Sequence, residues 1–372
     1  MTRRKVFEEV DRRVETDSVV TKVASFEVNR PVLIWFAIVL SLTLMTIIVG
    51  GITRLTDSGL SITEWKPVTG MIPPFNESGW QTEFAKYRET AEFINQNFAM
   101  TMAEFRTIYW WEWAHRMMGR AVGIAWLFGF VWFILSKQLT GHSTRRAAAV
   151  GGLIAVQGVV GWWMVASGLT KTALDVAPYR LAIHLGLALV IAGLTFWEIL
   201  LLNRPRHELF QARRSRNRRL DQAAGWMIAL LLLQLLAGAL VAGHDAGAYF
   251  PTWPLMNGEF LPSDSFNDMP WPINFIGNPA LVHFNHRILG YLTLVAAIYL
   301  WAISRRSGLR TVMNVCNWLL FTTFVQMGLG IATTLTAAQP AAALIHQVTA
   351  IILFHVALWL RYEARFPRRM IR

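Results

Sequence analysis

Charge is scarce in this sequence, acidic charge above all. Only 16% of its 372 residues are charged, and 35 Lys and Arg outnumber 23 Asp and Glu to leave a net charge of +12. A soluble chain usually carries about a quarter charged residues. The deficit, beside 54% hydrophobic residues, excludes a soluble enzyme and indicates a membrane protein. The basic excess does not make a nucleic-acid binder, because the cations alternate with long apolar runs and do not share a face. Cysteine is nearly absent as well. Cys316 stands alone, which excludes an intramolecular disulfide and any cysteine-based zinc or iron–sulfur site.

What the chain has in abundance is apolar runs of spanning length. The first, from Val32 to about Ile52, is 21 residues long and no small-residue cleavage site follows it, so it reads as a retained span. Others lie near 109–135, 147–168, 179–202, 222–243, 280–303, 311–335 and 341–361. Eight spans put both termini on one side. The N-terminal tail, the loops near 136–147, 203–221 and 304–310, and the C-terminal tail with the adjoining Arg361 hold 25 of the 35 Lys and Arg, and the opposite loops hold six. By the positive-inside rule both termini are expected to be cytoplasmic, with the two long loops facing outward across a cytoplasmic (inner) membrane. In the first outer loop, Trp80–Phe98 mixes charge with Phe84, Tyr87, Phe93 and Phe98, a pattern that predicts an amphipathic segment lying on the membrane surface. Tyr109, Trp110, Trp111 and Trp113 mark the outer interface at the second span.

The sequence repeats itself. A shift of 188 aligns Gly50, Asp57, Gly59, Trp65, Gly70 and Pro74 with Gly238, Asp245, Gly247, Trp253, Gly258 and Pro262. A shift of 171 aligns His115, Arg116 and Gly119 with His286, Arg287 and Gly290; 169 aligns Gln157 and Gly161 with Gln326 and Gly330; 162 aligns His184 with His346. The fold class is thus an all-α integral membrane protein of eight transmembrane helices, built as two tandem four-helix bundles in parallel repeat. The division is a basic cytoplasmic tail over 1–31, a first half over 32–203 with its long outer loop at 53–108, a basic linker over 204–221, a second half over 222–361 and a basic tail over 362–372.

Among nine histidines, His142 and His207 fall in cytoplasmic loops, and His244 and His355 stand alone and read as structural. His115, His184, His286 and His346 differ. They lie one per even-numbered span, near the outer end, roughly 8–9 Å along each helix at 1.5 Å per residue. Ionisable groups there are costly and mark function. Two imidazoles facing each other across a bundle can ligate a haem iron from both sides, whereas zinc wants further ligands that no Cys or carboxylate cluster supplies. The plainer alternative is interhelical hydrogen bonding.

One turn before the first histidine of each half the repeat breaks: Glu112 precedes His115 and His283 precedes His286. Glu112 is a candidate for proton transfer, with an ordinary ion pair to Arg116 as the alternative. Arg116, Arg120, Arg287 and His283 are candidates for the carboxylates of a porphyrin or for the surroundings of its ligands, with snorkelling or helix pairing as the alternative for the arginines.

The run from Gly50 to Ser61, followed by Glu64-Trp65-Lys66-Pro67 and by Gly70 to Pro74, resembles the first outer loop of the haem A synthase family. Glu112 to Arg116 and His283 to Arg287 resemble that family's second and sixth spans, and the resemblance covers nearly all of 32–361. It implies an oxidoreductase that converts a methyl group of haem O, through hydroxylated intermediates, to the formyl group of haem A for terminal oxidases. It implies haem b as cofactor between His286 and His346, haem O between His115 and His184, and Glu112 as the essential acid. A haem O synthase and the terminal oxidase assembly machinery are the partners it implies. Some members carry a cysteine pair in the first outer loop; this chain has none, so a thiol relay there is excluded. A two-haem electron carrier and a haem transporter remain alternatives, and a prenyltransferase does not, for want of paired Asp-rich motifs.

Overall fold

The computed structural model describes residues 29–368, so most of the tail at 1–31 and the last residues of the tail at 362–372 lie outside the described residues. Eight helices are long and apolar enough to cross a membrane: α1 (Arg30–Leu55), α2 (Met102–Leu135), α3 (His142–Gly168), α4 (Pro178–Leu202), α5 (Arg218–Gly243), α6 (Pro279–Ser304), α7 (Arg310–Leu335) and α8 (Pro340–Arg365). No strand forms among the described residues beyond an isolated bridge between Met256 and Glu259. Helix starts follow local chemistry. Proline opens α4, α6 and α8, where the first N–H has no intrahelical partner in any case. Asn278 caps α6 by accepting from the N–H groups of Ala280 and Leu281.

In each half the helices close a ring of pairings: α1–α2, α2–α3, α3–α4 and α4–α1, then α5–α6, α6–α7, α7–α8 and α8–α5. The same cycle in both halves agrees with the tandem repeat. The halves meet where α1 and α4 face α5 and α8. Ile47, Ala188, Leu189 and Ile351 form the buried centre of that seam. Exposed Ile34, Phe128, Val159, Val295 and Phe321 point outward from the bundles, as a lipid-facing surface requires.

One ionic cluster closes the seam at one end, and a second ties the linker to the second half at the other. Arg54, at the outer end of α1, reaches Asp57 at 2.9 Å, Asp175 at 3.0 Å and Asp245 at 2.9 Å, and donates to Ala242 O at 2.9 Å. It thereby ties both halves and three loops together. At the opposite end of the bundles Asp221 is fully buried and is held by Arg216, by Arg361 at 3.2 Å and by Arg365 at 3.4 Å.

Helix α2 begins at Met102, ahead of the predicted 109, because Thr101 and Glu104 form a capping box. Its 34 residues span roughly 50 Å, while the apolar core of a bilayer is about 30 Å thick. The first turns therefore stand clear of the membrane. This corrects the expectation that Trp80–Phe98 lies on the bilayer. The segment forms two short helices, Glu77–Arg88 and Ala91–Asn95, whose Trp80, Phe84, Tyr87 and Phe93 pack on Phe105, Ile108 and Tyr109 of the protruding part of α2. Its apolar face is covered by protein, and only Phe98 of the four predicted aromatics stays open, at 73% exposure.

Inside this outer layer Glu92 is 4% exposed, accepting from Tyr87 Oη at 2.8 Å and Asn97 Nδ2 at 3.2 Å. Burial pushes its carboxyl up to about 7. A carboxyl that holds its proton more tightly when folded stabilises the fold at low pH and loses that contribution as pH rises. Thermal unfolding in detergent should therefore show stability falling between about pH 4.5 and about pH 7. Glu92→Gln should flatten that slope, and an unchanged slope would show that another group carries it.

Candidate functional site

The four predicted histidines come together as two pairs. In the first half the rings of His115 on α2 and His184 on α4 have centroids 6.5 Å apart and cross at 73°. In the second, His286 on α6 and His346 on α8 are 6.4 Å apart and cross at 86°. Two imidazoles sharing one metal ion have centroids about 6 Å apart, because each metal–nitrogen bond is about 2 Å long. Both pairs match that separation. Among the described residues no third His, Cys, Asp or Glu joins either pair to make a metal cluster. A ligand that brings its own equatorial donors, such as a porphyrin, suits two imidazoles.

Glycine lets the rings sit this close to their neighbours. A Cβ at Gly50 would lie 2.7 Å from His115 Cε1, one at Gly161 2.9 Å from His184 Cε1, one at Gly238 3.0 Å from His286 Cε1 and one at Gly330 2.9 Å from His346 Cε1. Every histidine thus lies against bare backbone of the preceding odd-numbered helix, at positions related by the repeat. His115 Nδ1 lies 3.2 Å from Thr46 O, whereas His286 Nδ1 is buried without a hydrogen-bond partner. The glycine cradle fits a haem ligand in each case, and at His286 the orphaned nitrogen fits one as well.

The helix turn before each first histidine holds the asymmetry. Glu112 is 2% exposed and accepts four hydrogen bonds: from Ser61 Oγ and Ile62 N at 2.7 Å each, and from Arg116 Nε at 3.0 Å and Nη2 at 2.6 Å. Such a donor set suits a carboxylate. The i, i+4 ion pair weighed for Glu112 is therefore present, and it is one part of a larger arrangement. Arg116 also donates to Ile62 O at 2.7 Å and Glu64 O at 3.0 Å, and Arg120 to Lys66 O at 3.0 Å and Pro67 O at 2.9 Å. In the second half Arg287 donates to His283 Nε2 at 3.3 Å, Phe250 O at 3.0 Å, Leu255 O at 3.4 Å and Pro254 O at 3.5 Å. At the repeat shift of 188, Ile62, Lys66 and Pro67 become Phe250, Pro254 and Leu255, so Arg287 alone holds the carbonyls that Arg116 and Arg120 share. All three arginines pin outer loops over the histidine pairs. His283 is buried at the position of Glu112 and takes its place beside the arginine.

The isolated histidines behave as expected: His244 Nε2 lies 2.8 Å from Ile276 O, and His355 Nδ1 2.8 Å from Ile351 O on its own helix. Cys316 is packed in the second-half core. Sequence reasoning missed Arg54. Its only signal was a basic residue at a helix end, three positions before Asp57, the aspartate that the repeat matches to Asp245.

Fold and site together define an eight-span helical membrane protein with two equivalent half-buried histidine pairs, one of them flanked by a buried carboxylate. The sequence pattern of the cytochrome oxidase assembly protein family matches residues 33–358. A haem A synthase of Dinoroseobacter shibae is 45% identical over 98% of this chain and 97% of its own length. One of Ruegeria pomeroyi is 47% identical over 90% and 88%, and one of Cereibacter sphaeroides 43% over 91% and 89%. The chain belongs to the haem A synthase family.

The cradle yields a prediction. Gly330→Ala should lower the haem content of the second-half site several-fold while leaving the first-half site filled, as read by pyridine haemochrome spectra of the purified protein. Equal occupancy with and without the added methyl would show that the backbone contact does not shape the site.

Proposed function

We propose that this protein oxidises a methyl substituent of haem O to the formyl group of haem A, for assembly into a terminal oxidase. The observation that carries this reading is the broken symmetry: two matched histidine pairs, only one of which has a buried carboxylate a helix turn away. The names of its relatives support haem A synthesis and an oxidoreductase role in the membrane.

In this reading His115 and His184 hold the iron of haem O and so fix the macrocycle in the first half. His286 and His346 hold haem b, which when bound accepts the electrons removed from the substrate. With water supplying the oxygen atom, converting a methyl to a formyl group (R–CH3 + H2O → R–CHO + 4 H+ + 4 e−) also releases protons, and Glu112 is the residue built to handle them. Its four donors hold one carboxylate geometry, and Arg116 balances its charge, so that it serves as a base or stabilises positive charge developing on the substrate carbon. His283 in the same position has no carboxylate to offer, which assigns the second half to electron transfer. Arg116, Arg120 and Arg287 hold the outer loops over both sites. Contact between these arginines and porphyrin carboxylates would be added to those loop bonds. The sites lie toward the outer face of a cytoplasmic membrane, both termini are cytoplasmic, and haem O is received from a haem O synthase.

The test is a pyridine haemochrome spectrum of protein purified from cells supplied with haem O. Haem b together with haem O or haem A is expected; haem b alone would favour an electron carrier. Glu112→Gln should keep both haems and lower haem A formation roughly 10²–10⁴-fold, the usual contribution of an acid–base group. Haem A formation at the original rate would remove Glu112 from the chemistry.

A further inference from the structure

The repeat also breaks one helix turn deeper than the first histidines, and there it changes the space available. On α2, Gly119 and Gly123 follow His115 at i+4 and i+8; on α6, Gly290 and Leu294 follow His286. That spacing keeps them on the histidine's side of the helix, roughly 6 and 12 Å toward the middle of the span. On the facing helices, the shift of 188 that matches Gly50 with Gly238 also matches Thr46 of α1 with Gln234 of α5.

In the second half this space is filled. A Cβ at Gly290 would lie 3.5 Å from Gln234 Nε2, so the Gln234 side chain crosses from α5 to α6 on the deep side of His286. Its Oε1 is buried without a partner, so no hydrogen bond of that oxygen holds it there. Leu294 adds a branched side chain one turn further on, half-buried. In the first half the same space is open. Thr46 Oγ1 is turned back on its own helix and donates to Leu42 O at 2.7 Å. A Cβ at Gly119 or Gly123 would meet no atom within 4 Å, and Gly119 is exposed where Gly290 is half-buried. The approach of Gln234 to Gly290 marks this side of the helix as facing into the bundle.

Haem O and haem b share a macrocycle and differ at one substituent, a long isoprenoid chain in haem O where haem b has a vinyl group. A charged carboxylate is tolerated best near the membrane interface and an apolar chain best in the middle, so the chain belongs on the deep side of the histidines. Resting on the assignment of haem O to the first half and haem b to the second, we infer that the space beside Thr46, Gly119 and Gly123 is the subsite for the isoprenoid chain of the substrate. Gln234 and Leu294 close the equivalent space in the second half and keep that chain out of the cofactor site. Two histidine pairs of one geometry thus select different occupants by bulk alone.

The experiment uses the full-length protein in detergent, purified from cells that make both haem b and haem O. Extracted haems are separated by reverse-phase chromatography and counted per protein, with haem A counted beside haem O because it carries the same chain. Thr46→Gln with Gly123→Leu should lower the ratio of chain-bearing haem to haem b at least about 10-fold, the discrimination that altered space in an apolar pocket gives. Haem b should meanwhile stay at one per protein or rise. Gln234→Thr with Leu294→Gly should admit chain-bearing haem to the second site, carrying it above one per protein as haem b falls below one.

An unchanged ratio in both variants would overturn the inference and leave the open space to lipid. A shift in the first-half variant alone would keep the subsite and remove Gln234 and Leu294 as its counterpart barrier. Loss of both haems from the first-half variant would report a collapsed bundle, and the second-half variant then decides: a gain of chain-bearing haem upholds the inference, and no gain overturns it. If the unsubstituted protein holds haem b alone, the assignment of the halves fails and the subsite with it. Both haems in the unsubstituted protein, in a ratio indifferent to the substitutions, overturn only the subsite.

Discussion

An imidazole inside a lipid-embedded bundle must find a polar partner, and four of them at matched positions constrain everything packed around them. The constraint explains why glycine stands opposite each ring: the backbone has to come within contact distance of the Cε1 edge, and any side chain would push the ring away from its partner across the bundle. It explains the ring-to-ring separation of 6.4–6.5 Å, which leaves room between the imidazoles for one metal ion and no side chain. Helix pairing in closed rings of four then follows, since each pair has to be framed on all sides by apolar helix faces.

The outer loops depend on the same centre. Arg116 and Arg287 directly follow the first histidine of each half, Arg120 stands five residues after His115, and all three spend donors on loop carbonyls. A guanidinium near the membrane interface is stable only when its fork is filled, and main-chain carbonyls fill it without requiring particular side chains. The loops can therefore differ in length and composition between the halves while keeping the same anchor points at Ile62 and Phe250. Against this shared frame the exchange of Glu112 for His283 stands out as chemical, because the arginine beside it and the carbonyls beyond it are preserved.

Much of this was legible in the sequence. Span number came from apolar run length, the repeat from glycines, aspartates and histidines at constant shifts, and the histidine pairing from that repeat together with common depth. Local rules also contained the start of α2, since Thr101 and Glu104 spell a capping box that the hydropathy reading passed over. What stayed hidden was long-range. Nothing near Trp80 or Tyr87 reveals that α2 protrudes far enough to cover them, so an amphipathic pattern was read as facing lipid. The partners of Arg54 are up to 191 residues away, and one is a main-chain carbonyl with no side-chain signature.

Arg54 also bears on how the two halves relate as duplicates. Its counterpart at the repeat shift is Ala242, the residue whose carbonyl receives it. Were arginine retained at both positions, two guanidiniums would converge on one group of aspartates at the pseudo-twofold seam. With alanine in the second copy, one half supplies the cation and the other an acceptor. The seam is directional: its cation comes from the first half, and the carboxylate of Asp245 and the carbonyl of Ala242 reach it from the second.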